Sequence, residues 1–494
     1  MTLVTHQQSS RTDIIELSIL GDLYYNNPMN PNSTTVKKPK NKKLNERTTP
    51  QNPLFTNRAL TALIFPLILE QALAITVGMA DTMMISSVGE AAVSGVSLVD
   101  MLNMLIFTVL SALATGGCVV ISQSLGAGRK DEALKGTKQL LFTVVVFSLL
   151  IAALVIILRE GILRLFFGRI EADVMQAALI YLVISALSFP FLGVYNACAA
   201  MFRAMGKSNI TFLVSVIGNL INVVGNAICI FGLHMGVAGV AIPTLISRVV
   251  MGMILYVLLR NPRRELYFSG ERFRINKGII QKILYIGIPG GIEGGIFQLG
   301  RVVVVSIISG FGTVQIAANG VANSLDAMGC IIGQAMNLAM VTVVGHCVGA
   351  GDEKQIRFYT KKLMAITYVA TFLLNSTILI FLNPILSLYG LTAETTALAY
   401  TLVMIHNGIA IFLWPVSFVL PNMLRACNDV RYPMLISIFS MCAFRIGFSY
   451  VFGVWMGMGA LGVWYAMVLD WIFRSICFGA RYLLGHWKKY IIGV

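Results

Sequence analysis

The sequence carries few charged residues for its length. Only 12% of its 494 residues are charged, whereas 57% are hydrophobic. Soluble domains contain about 25% charged residues, so this composition excludes a soluble domain. The strict apolar–polar alternation of an outer-membrane barrel is also missing. What fills the chain instead is a series of apolar runs of about twenty residues or more, each long enough to cross roughly 30 Å of hydrocarbon as a helix.

Motifs that mark common enzymes are absent as well. The sequence contains no Walker A loop, HExxH motif, dinucleotide fingerprint or Ser–His–Asp pattern. Its eight cysteines occur singly, without CxxC or Cys/His ligand spacing. The sequence therefore predicts no enzyme, no cofactor and no metal site. Any work that the protein performs must draw on an ion gradient or on the substrate's own gradient.

A cleavable signal peptide is not evident either, because the first long apolar stretch begins near Leu60. Residues 1–57 are polar and include a basic run from Lys37 to Arg47. Few apolar residues are available there to form a core, so we predict a disordered basic cytoplasmic tail.

The apolar runs predict an all-α integral membrane protein with about twelve transmembrane helices. We expect them near residues 60–87, 93–123, 137–158, 176–200, 209–232, 237–259, 281–309, 318–347, 361–387, 396–420, 432–455 and 459–484.

Basic residues collect in alternate loops, and this predicts the orientation. The net charge is +15, and the positive-inside rule places these loops and both termini in the cytoplasm. The excess charge suits contact with anionic membrane lipids rather than nucleic acid. The basic loops include Arg129, Lys130 and Lys138, then Arg203 and Lys207, then Arg260 to Lys277, then Lys354 to Lys362, then Arg425 and Arg431.

The chain repeats itself at an offset of 223 residues. Pro66 and Glu70 match Pro289 and Glu293, and Gly126-Ala127-Gly128 matches Gly349-Ala350-Gly351. Each repeat holds six spans, so both begin on the same side of the membrane. Parallel repeats of this kind place a substrate site between two similar bundles, and so indicate a two-lobed transporter.

The repeat divides the chain into five predicted segments. These are the tail (1–57), a first lobe (58–259), a cytoplasmic linker (260–280), a second lobe (281–485) and a cytoplasmic C-terminus (486–494). The linker is the longest hydrophilic stretch between spans.

Two acids stand out in the first span. Glu70 and Asp81 are eleven residues apart, which puts them on nearly the same helix face, roughly 16 Å from each other. A carboxyl group is costly in hydrocarbon, so both are candidates for binding a proton or another cation in a water-lined cavity. The alternative is that either acid is a packing residue paired with a polar neighbour.

The seventh span carries Glu293 inside the glycine-rich run 289–295, followed by Gln298 and Arg301. Glycine is a poor helix former, so this segment is expected to bend or to admit a substrate closely. Arg301 lies two turns beyond Glu293 and could neutralise it only through a bend or a water. Structural neutralisation and a role in gating remain open for Arg301.

Amides line one face of the fifth span at Asn219, Asn222 and Asn226. They could orient a carboxyl group or coordinate Na⁺, or they could simply form interhelical hydrogen bonds.

Other polar residues in the spans are expected to be structural. Asp470 and Arg474, four residues apart, are predicted to neutralise each other, and Arg445 to pair with Asp470 or Asp326. Asp100 and Asp326 are expected to be capping or interfacial residues, and the two histidines, His346 and His406, to be isolated.

The motifs together resemble the MATE (multidrug and toxic compound extrusion) family of the MOP superfamily, over roughly residues 58–485. They include Pro66, Met79-Ala80-Asp81-Thr82-Met83-Met84, Gly126-Ala127-Gly128, Met201-Phe202-Arg203-Ala204-Met205-Gly206, Ala317-Ala318-Asn319 and Met423-Leu424-Arg425-Ala426. The resemblance implies twelve helices in two pseudo-symmetric six-helix lobes, alternating access, and a monomer.

The resemblance also implies roles for individual residues. Asp81 falls on the family's first-span acid and Asn222 on its fifth-span Asn, with Thr244 at a polar position of the sixth span nearby. Asn226 stands where DinF-type members have Asp. In the second lobe, the NorM-type acids would fall on Phe297 and near Trp414, and Glu293 could take over their role one turn earlier.

The sequence therefore predicts an antiporter in the plasma membrane that exports cationic or amphipathic compounds in exchange for H⁺ or Na⁺. Asp81, Asn222, Asn226, Thr244 and Glu70 are the predicted coupling residues. The predicted substrate contacts are Glu293, Phe297, Gln298, Arg301 and Trp414. A lipid-linked saccharide flippase of the same superfamily is the alternative, and an uncoupled channel or a membrane enzyme would show no ion-dependent accumulation of substrate.

Overall fold

A computed structural model describes residues 53–168, 171–268 and 272–491. The predicted tail, apart from its last few residues, lies outside these ranges. Within them, twelve helices are long and apolar enough to cross a membrane, which confirms the predicted number. Their exposed side chains include many leucines and isoleucines, such as Leu150 and Ile157, as expected for surfaces that face lipid.

The first six spans are α1 (Asn57–Ser86), α2 (Glu90–Gly126), α3 (Lys130–Ile157), α4 (Ala172–Ala204), α5 (Ser208–Gly232) and α6 (Ala238–Leu258). The next six are α7 (Lys277–Ser309), α8 (Ile331–Gly349), α9 (Glu353–Ile380), α10 (Ala393–Ala426), α11 (Arg431–Trp455) and α12 (Gly459–Leu483). Shorter helices cover Arg159–Phe167, Thr313–Gly329, Leu382–Ser387 and His486–Tyr490.

The eighth span differs from the prediction of one continuous helix over 318–347. Its counterpart in the first half, α2, is unbroken, whereas here Thr313–Gly329 and α8 are separated by Cys330. Cys330 has φ −88° and ψ −6°, and its N–H still donates to the carbonyl of Asp326. The interruption is therefore local.

The backbone repeats at the predicted offset. Positive φ angles occur in pairs: 130° at Gly89 and 97° at Gly312, and 71° at Gly128 and 67° at Gly351. At an offset of 222, the pair Gly206 and Asn428 has φ 70° and 65°. Residues other than glycine rarely adopt a left-handed backbone conformation. The positive φ of Asn428, where the first lobe has Gly206, therefore indicates that the two lobes share this turn.

Two hydrophobic cores correspond to the two lobes, but α1 and α7 cross between them. Leu60, Leu63 and Leu67 at the start of α1 are buried in the core of the second lobe. Ile283 and Ile286 at the start of α7 are buried in the core of the first. The first turns of α1 are therefore buried in the second lobe, and the first turns of α7 are buried in the first lobe. This exchange buries apolar surface between the lobes and so stabilises their association.

The residues just before α1 and α7 also form hydrogen bonds with the opposite lobe. The Tyr359 hydroxyl on α9 contacts the N–H of Phe55 at 2.8 Å and its carbonyl at 2.7 Å. The Gln139 side chain on α3 donates to the carbonyl of Arg274 at 2.8 Å and accepts from the N–H of Asn276 at 3.2 Å. These hydrogen bonds satisfy backbone groups at the N-terminal ends of α1 and α7 and hold those ends against the opposite lobe.

Glycines bring the lobes into backbone contact at the end that the basic loops predict to be cytoplasmic. A Cβ on Gly126 would lie 2.1 Å from the His346 carbonyl oxygen, and one on Gly349 would lie 1.9 Å from that of Gln123. Because 346 is 223 beyond 123, the two contacts are related by the repeat.

The glycine-rich run of α7 lies within one continuous helix. Glycines of this helix make room for α2: a Cβ on Gly294 would lie 2.3 Å from the Thr108 side chain, and one on Gly287, just before the run, would lie 3.0 Å from Leu113 Cα. Further along α7, a Cβ on Gly300 would instead meet Met441 of its own lobe. The lobes therefore pack against each other through the half of the membrane next to the basic loops.

Candidate ion-binding and substrate-binding sites

The predicted coupling residues of the first lobe come together between α1, α5 and α6. The Asn226 amide donates to Asp81 Oδ1 at 2.7 Å, and the Asn222 amide donates to Thr244 Oγ1 at 2.9 Å. The one-turn spacing of the asparagines on α5 puts both on the face turned toward α1 and α6. The sequence analysis grouped Asp81, Asn222, Asn226 and Thr244 at one site, and the structure brings these four residues of three helices together.

Two oxygens at this site have no hydrogen-bond partner among the described residues. They are Asn222 Oδ1 and Asn226 Oδ1, and both are buried. A buried carbonyl oxygen without a donor costs free energy comparable to a lost hydrogen bond. Together with the Asp81 carboxylate, these oxygens form the kind of oxygen-rich set that binds a hard cation or a proton.

Asp100 and Arg248 extend this site, and the sequence analysis missed their part in it. Asp100 is not a cap, because it lies ten residues into α2. It accepts hydrogen bonds from the Tyr181 hydroxyl at 3.1 Å and the Asn103 amide at 3.2 Å. Arg248 on α6 donates to Ser188 Oγ at 2.6 Å and interacts electrostatically with both Asp100 and Asp81. The signal was available: an arginine inside a span is rare and functional by default.

Glu70 lies deeper in the same lobe and is only 7% exposed. It accepts hydrogen bonds from the Tyr195 hydroxyl on α4 and the Thr211 hydroxyl on α5, both at 3.1 Å. Both first-span acids therefore contact α5, at its two ends. The paired hydroxyls fit the packing interpretation of Glu70 and leave its predicted role in coupling untested.

Glu293 is neutralised by a partner other than the one considered from the sequence. Arg425 Nη2 lies 2.6 Å from Glu293 Oε2, and Arg474 Nη2 lies 3.8 Å from Oε1. Arg425 also donates to Asn422 Oδ1 at 2.7 Å. Arg301 makes no ion pair within the described residues, so the idea that it serves Glu293 is wrong. Arg474 likewise lies within ion-pair distance of Glu293 rather than of Asp470.

Aromatic rings adjoin this ion pair. Trp414 stacks on Phe418 with centroids 4.9 Å apart, and Phe297 meets Phe418 edge-on at 6.1 Å. The Arg474 guanidinium sits 4.4 Å from the Phe418 centroid. The structure thus brings Glu293, Phe297 and Trp414 into one neighbourhood. Gln298 is half-buried next to Phe297, and Arg301 lies elsewhere on α7.

Asp326 and His406 are neither capping nor isolated, which corrects both predictions. His406 Nε2 lies 2.5 Å from Asp326 Oδ1, and the Cys330 thiol lies 3.2 Å from the same oxygen. The three potential ligand atoms fall within 4.8 Å of one another. Because the residues are 80 positions apart along the chain, spacing could not reveal the cluster. Its mutual hydrogen bonds satisfy the groups without a metal.

With a two-lobed twelve-helix bundle and polar sites inside each lobe, the molecule has the architecture of a secondary membrane transporter. The MatE family model matches residues 66–228 and 289–451, two segments separated by the repeat offset. These segments cover well over half of the chain, and the protein belongs to the MatE family. It is accordingly a multi-pass transport protein and not an enzyme.

Relatives align over nearly the whole chain. An uncharacterized transporter, YisQ of Bacillus subtilis, is 27% identical, with 87% of this chain and 94% of the relative covered. A probable multidrug resistance protein NorM of Thermotoga maritima is 24% identical, with 87% and 93% covered. The multidrug resistance protein PmpM of Pseudomonas aeruginosa is 22% identical, with 83% and 88% covered.

Solved structures share the fold. The outward-facing conformation of a multidrug resistance MATE family transporter of the MOP superfamily superposes with a TM-score of 0.81 at 20% identity, covering 87% of this chain and 96% of that one. A MATE crystal structure in the bent conformation gives a TM-score of 0.80 at 20% identity, with 88% and 96% covered. The predicted fold class, two six-helix lobes of the MATE type, is confirmed.

Proposed function

We propose that the protein is a multidrug efflux antiporter that exports cationic or amphipathic compounds across the plasma membrane in exchange for H⁺ or Na⁺. The names of its relatives support the substrate class, since several are multidrug resistance proteins. The observation that carries the coupling proposal is the first-lobe site. Asp81 accepts a hydrogen bond from Asn226 there, and Asn226 and Asn222, one turn apart on α5, each have an unpaired buried oxygen.

The charges at this site suit one monovalent cation. Asp81 and Asp100 bring two negative charges when ionised and Arg248 brings one positive charge, which leaves one negative charge inside the spans. One H⁺ or Na⁺ neutralises it, and an uncompensated charge there is costly. Binding of the ion would therefore favour whichever arrangement of α1, α5 and α6 encloses the site.

Export then requires that the ion and the substrate favour different states. The lobes are joined at the predicted cytoplasmic end through the contacts of Gly126 and Gly349. A state with this end open would accept the compound from the cytoplasm, and the state described here would release it on the other side. The orientation with both termini in the cytoplasm and a monomeric assembly complete the proposal.

Proteoliposomes test it directly. A fluorescent cationic dye would be followed under an imposed pH gradient and then under a Na⁺ gradient, for wild type and for Asp81→Asn. One gradient should drive dye movement in wild type, and the substitution should abolish the driven component. The Asp173→Asn variant, which changes an exposed acid at the start of α4, is the matched control and should transport normally. If the rate of dye movement is the same with and without each gradient, the coupling proposal is contradicted.

A lipid-linked saccharide flippase remains the second candidate, and one observation favours it. The spans of the second lobe carry several arginines, among them Arg301, Arg425, Arg445 and Arg474. Cationic side chains in a cavity suit pyrophosphate-bearing lipids. Protection of a fluorescent lipid-linked saccharide from an external reductant, with no dye efflux under either gradient, would select this candidate.

A further inference from the structure

A small cavity in the second lobe is lined by two arginines. It lies between α7, α11, α12 and the helix Thr313–Gly329, and has a volume of about 30 Å³. Its polar lining consists of Arg301, Arg445, Asn319, Asn323 and Trp464. A volume of roughly 10–15 Å³ already admits one water-sized group, so this cavity has room for a small ligand.

The repeat shows that this cavity is the second-lobe counterpart of the candidate cation site. Adding 223 to Asp81 gives Val304, and adding it to Asn222 gives Arg445. The same offset takes Asp100 to Asn323, and all three resulting residues line the cavity. The offset is 222 before α11, at Gly206 and Asn428, and 223 after it, at Gly236 and Gly459. The extra residue therefore falls within α11, which contains the π-helical stretch Met441–Gly447. The two acids of the first lobe, Asp81 and Asp100, are thus replaced by neutral residues in the second lobe. The amide of Asn222 is replaced by the guanidinium of Arg445.

One of the two guanidinium groups at this cavity is incompletely hydrogen-bonded. Arg445 Nε is buried and has no hydrogen-bond partner among the described residues, and neither arginine forms an ion pair there. Asp326 is bonded to His406. Asp470 accepts from Ser440 through Oδ1, and its Oδ2 has no hydrogen-bond partner among the described residues, so it acts on Arg445 through its charge but not through an ion pair. A buried guanidinium without an acceptor is unfavourable, which indicates an anionic or strongly accepting ligand.

The remaining polar groups also present donors. Trp464 Nε1 donates to Asn319 Oδ1 at 3.0 Å, so the Asn319 amide turns its N–H groups away from the indole. Arg445 belongs to a π-helical stretch, Met441–Gly447, and such stretches are frequent at functional sites. A π-helix has a different number of residues per turn from an α-helix. The π-helical stretch therefore sets the direction in which Arg445 leaves α11.

We propose that this cavity binds a small anionic group, either a free halide or the carboxylate of a zwitterionic substrate. The second lobe is then an anion site that mirrors the cation site of the first. This inference does not depend on ion-coupled export, because occupancy can be measured on the purified protein. If export is also established, an anion site explains how the transporter holds amphipathic compounds that carry both charges.

Tryptophan quenching tests the site, since Trp464 lines it. The full chain in detergent is titrated with iodide at constant ionic strength, with isethionate as the balancing anion. Wild type should show a saturable quenching component, and Arg445→Gln and Arg301→Gln should each raise its half-saturating iodide concentration at least 10-fold. Arg272→Gln, which removes a charge from the exposed linker, should leave it unchanged.

Competition identifies the source of the anion. Displacement of iodide by chloride alone indicates a halide site, and displacement by acetate as well indicates a carboxylate site. Trp464→Phe should remove the saturable quenching while chloride still raises the melting temperature of the variant. Linear quenching that is identical in wild type and both arginine variants would overturn the proposal, as would a saturable component that neither chloride nor acetate displaces.

Discussion

Replacing Gly349 by alanine should push the two lobes apart at the predicted cytoplasmic end. The new Cβ would lie 1.9 Å from the Gln123 carbonyl oxygen and 2.9 Å from the Ala127 nitrogen. Both are backbone atoms, one near the end of α2 and one in the residue that follows it, so no side-chain rotation can make room. The contact between α2 and α8 must therefore open by an ångström or more, or the helices must slide.

The size of the effect follows from the cost of overpacking. An extra methyl group in a close-packed region typically costs about 1–3 kcal/mol. If a state with this end open relieves the clash, that cost becomes a shift in the conformational equilibrium of about 5- to 150-fold. Gly126→Ala should act in the same direction, because its Cβ would lie 2.1 Å from the His346 carbonyl oxygen.

Distance measurements between spin labels can follow this shift. Labels on cysteines introduced at Lys130 and Lys354, two exposed positions beside the contact, report the separation of α3 and α9 in a background without the native cysteines. Gly349→Ala should increase the population at long distances. Gly408→Ala is the control, since nothing lies within 4 Å of a Cβ at this helical position. An unchanged distance distribution in Gly349→Ala, with a folded protein, would refute the reasoning.

Two further predictions concern contacts that join distant parts of the chain. Glu293→Gln leaves Arg425 without its 2.6 Å partner and should destabilise the protein by about 3 kcal/mol, as for other largely buried ion pairs. Adding Arg425→Gln should recover part of the loss in melting temperature, and a further fall would contradict the pairing. Tyr359→Phe removes both hydrogen bonds to Phe55 and should cost about 2 kcal/mol at roughly 1 kcal/mol per bond. Tyr368→Phe, which loses a single exposed hydrogen bond, should lower the melting temperature less.

The repeat made the fold predictable from the sequence. The number of spans follows from hydrophobic runs, and the two lobes with their shared turns follow from sequence matches at offsets of 222 and 223. The interruption at Cys330 was not predicted, although Gly329 and Gly333 beside it are poor helix formers. The exchange of α1 and α7 between the lobes was also missed, because apolar residues at Leu60 and Ile283 indicate burial without indicating the partner.

The two sites differ in how far the sequence could define them. The first-lobe group was found because its members lie at helical spacings and match family positions. The partner of Glu293 was not found, because Arg425 is 132 residues away on another span and pairing across spans has no sequence signature. Arg248 should have been found, since an arginine within an apolar run is itself the signal.

The most direct measurement of the central claim is the affinity of the purified protein for a cationic dye with and without the coupling ion. Fluorescence anisotropy would give the dissociation constant at low and high Na⁺, and at low and high pH, for wild type and Asp81→Asn. The account predicts that one of the two ions weakens dye binding by about 10-fold in wild type, a coupling of about 1.4 kcal/mol, and that Asp81→Asn binds dye equally well under all conditions. An ion effect that persists undiminished in Asp81→Asn would contradict the assignment of the first-lobe site.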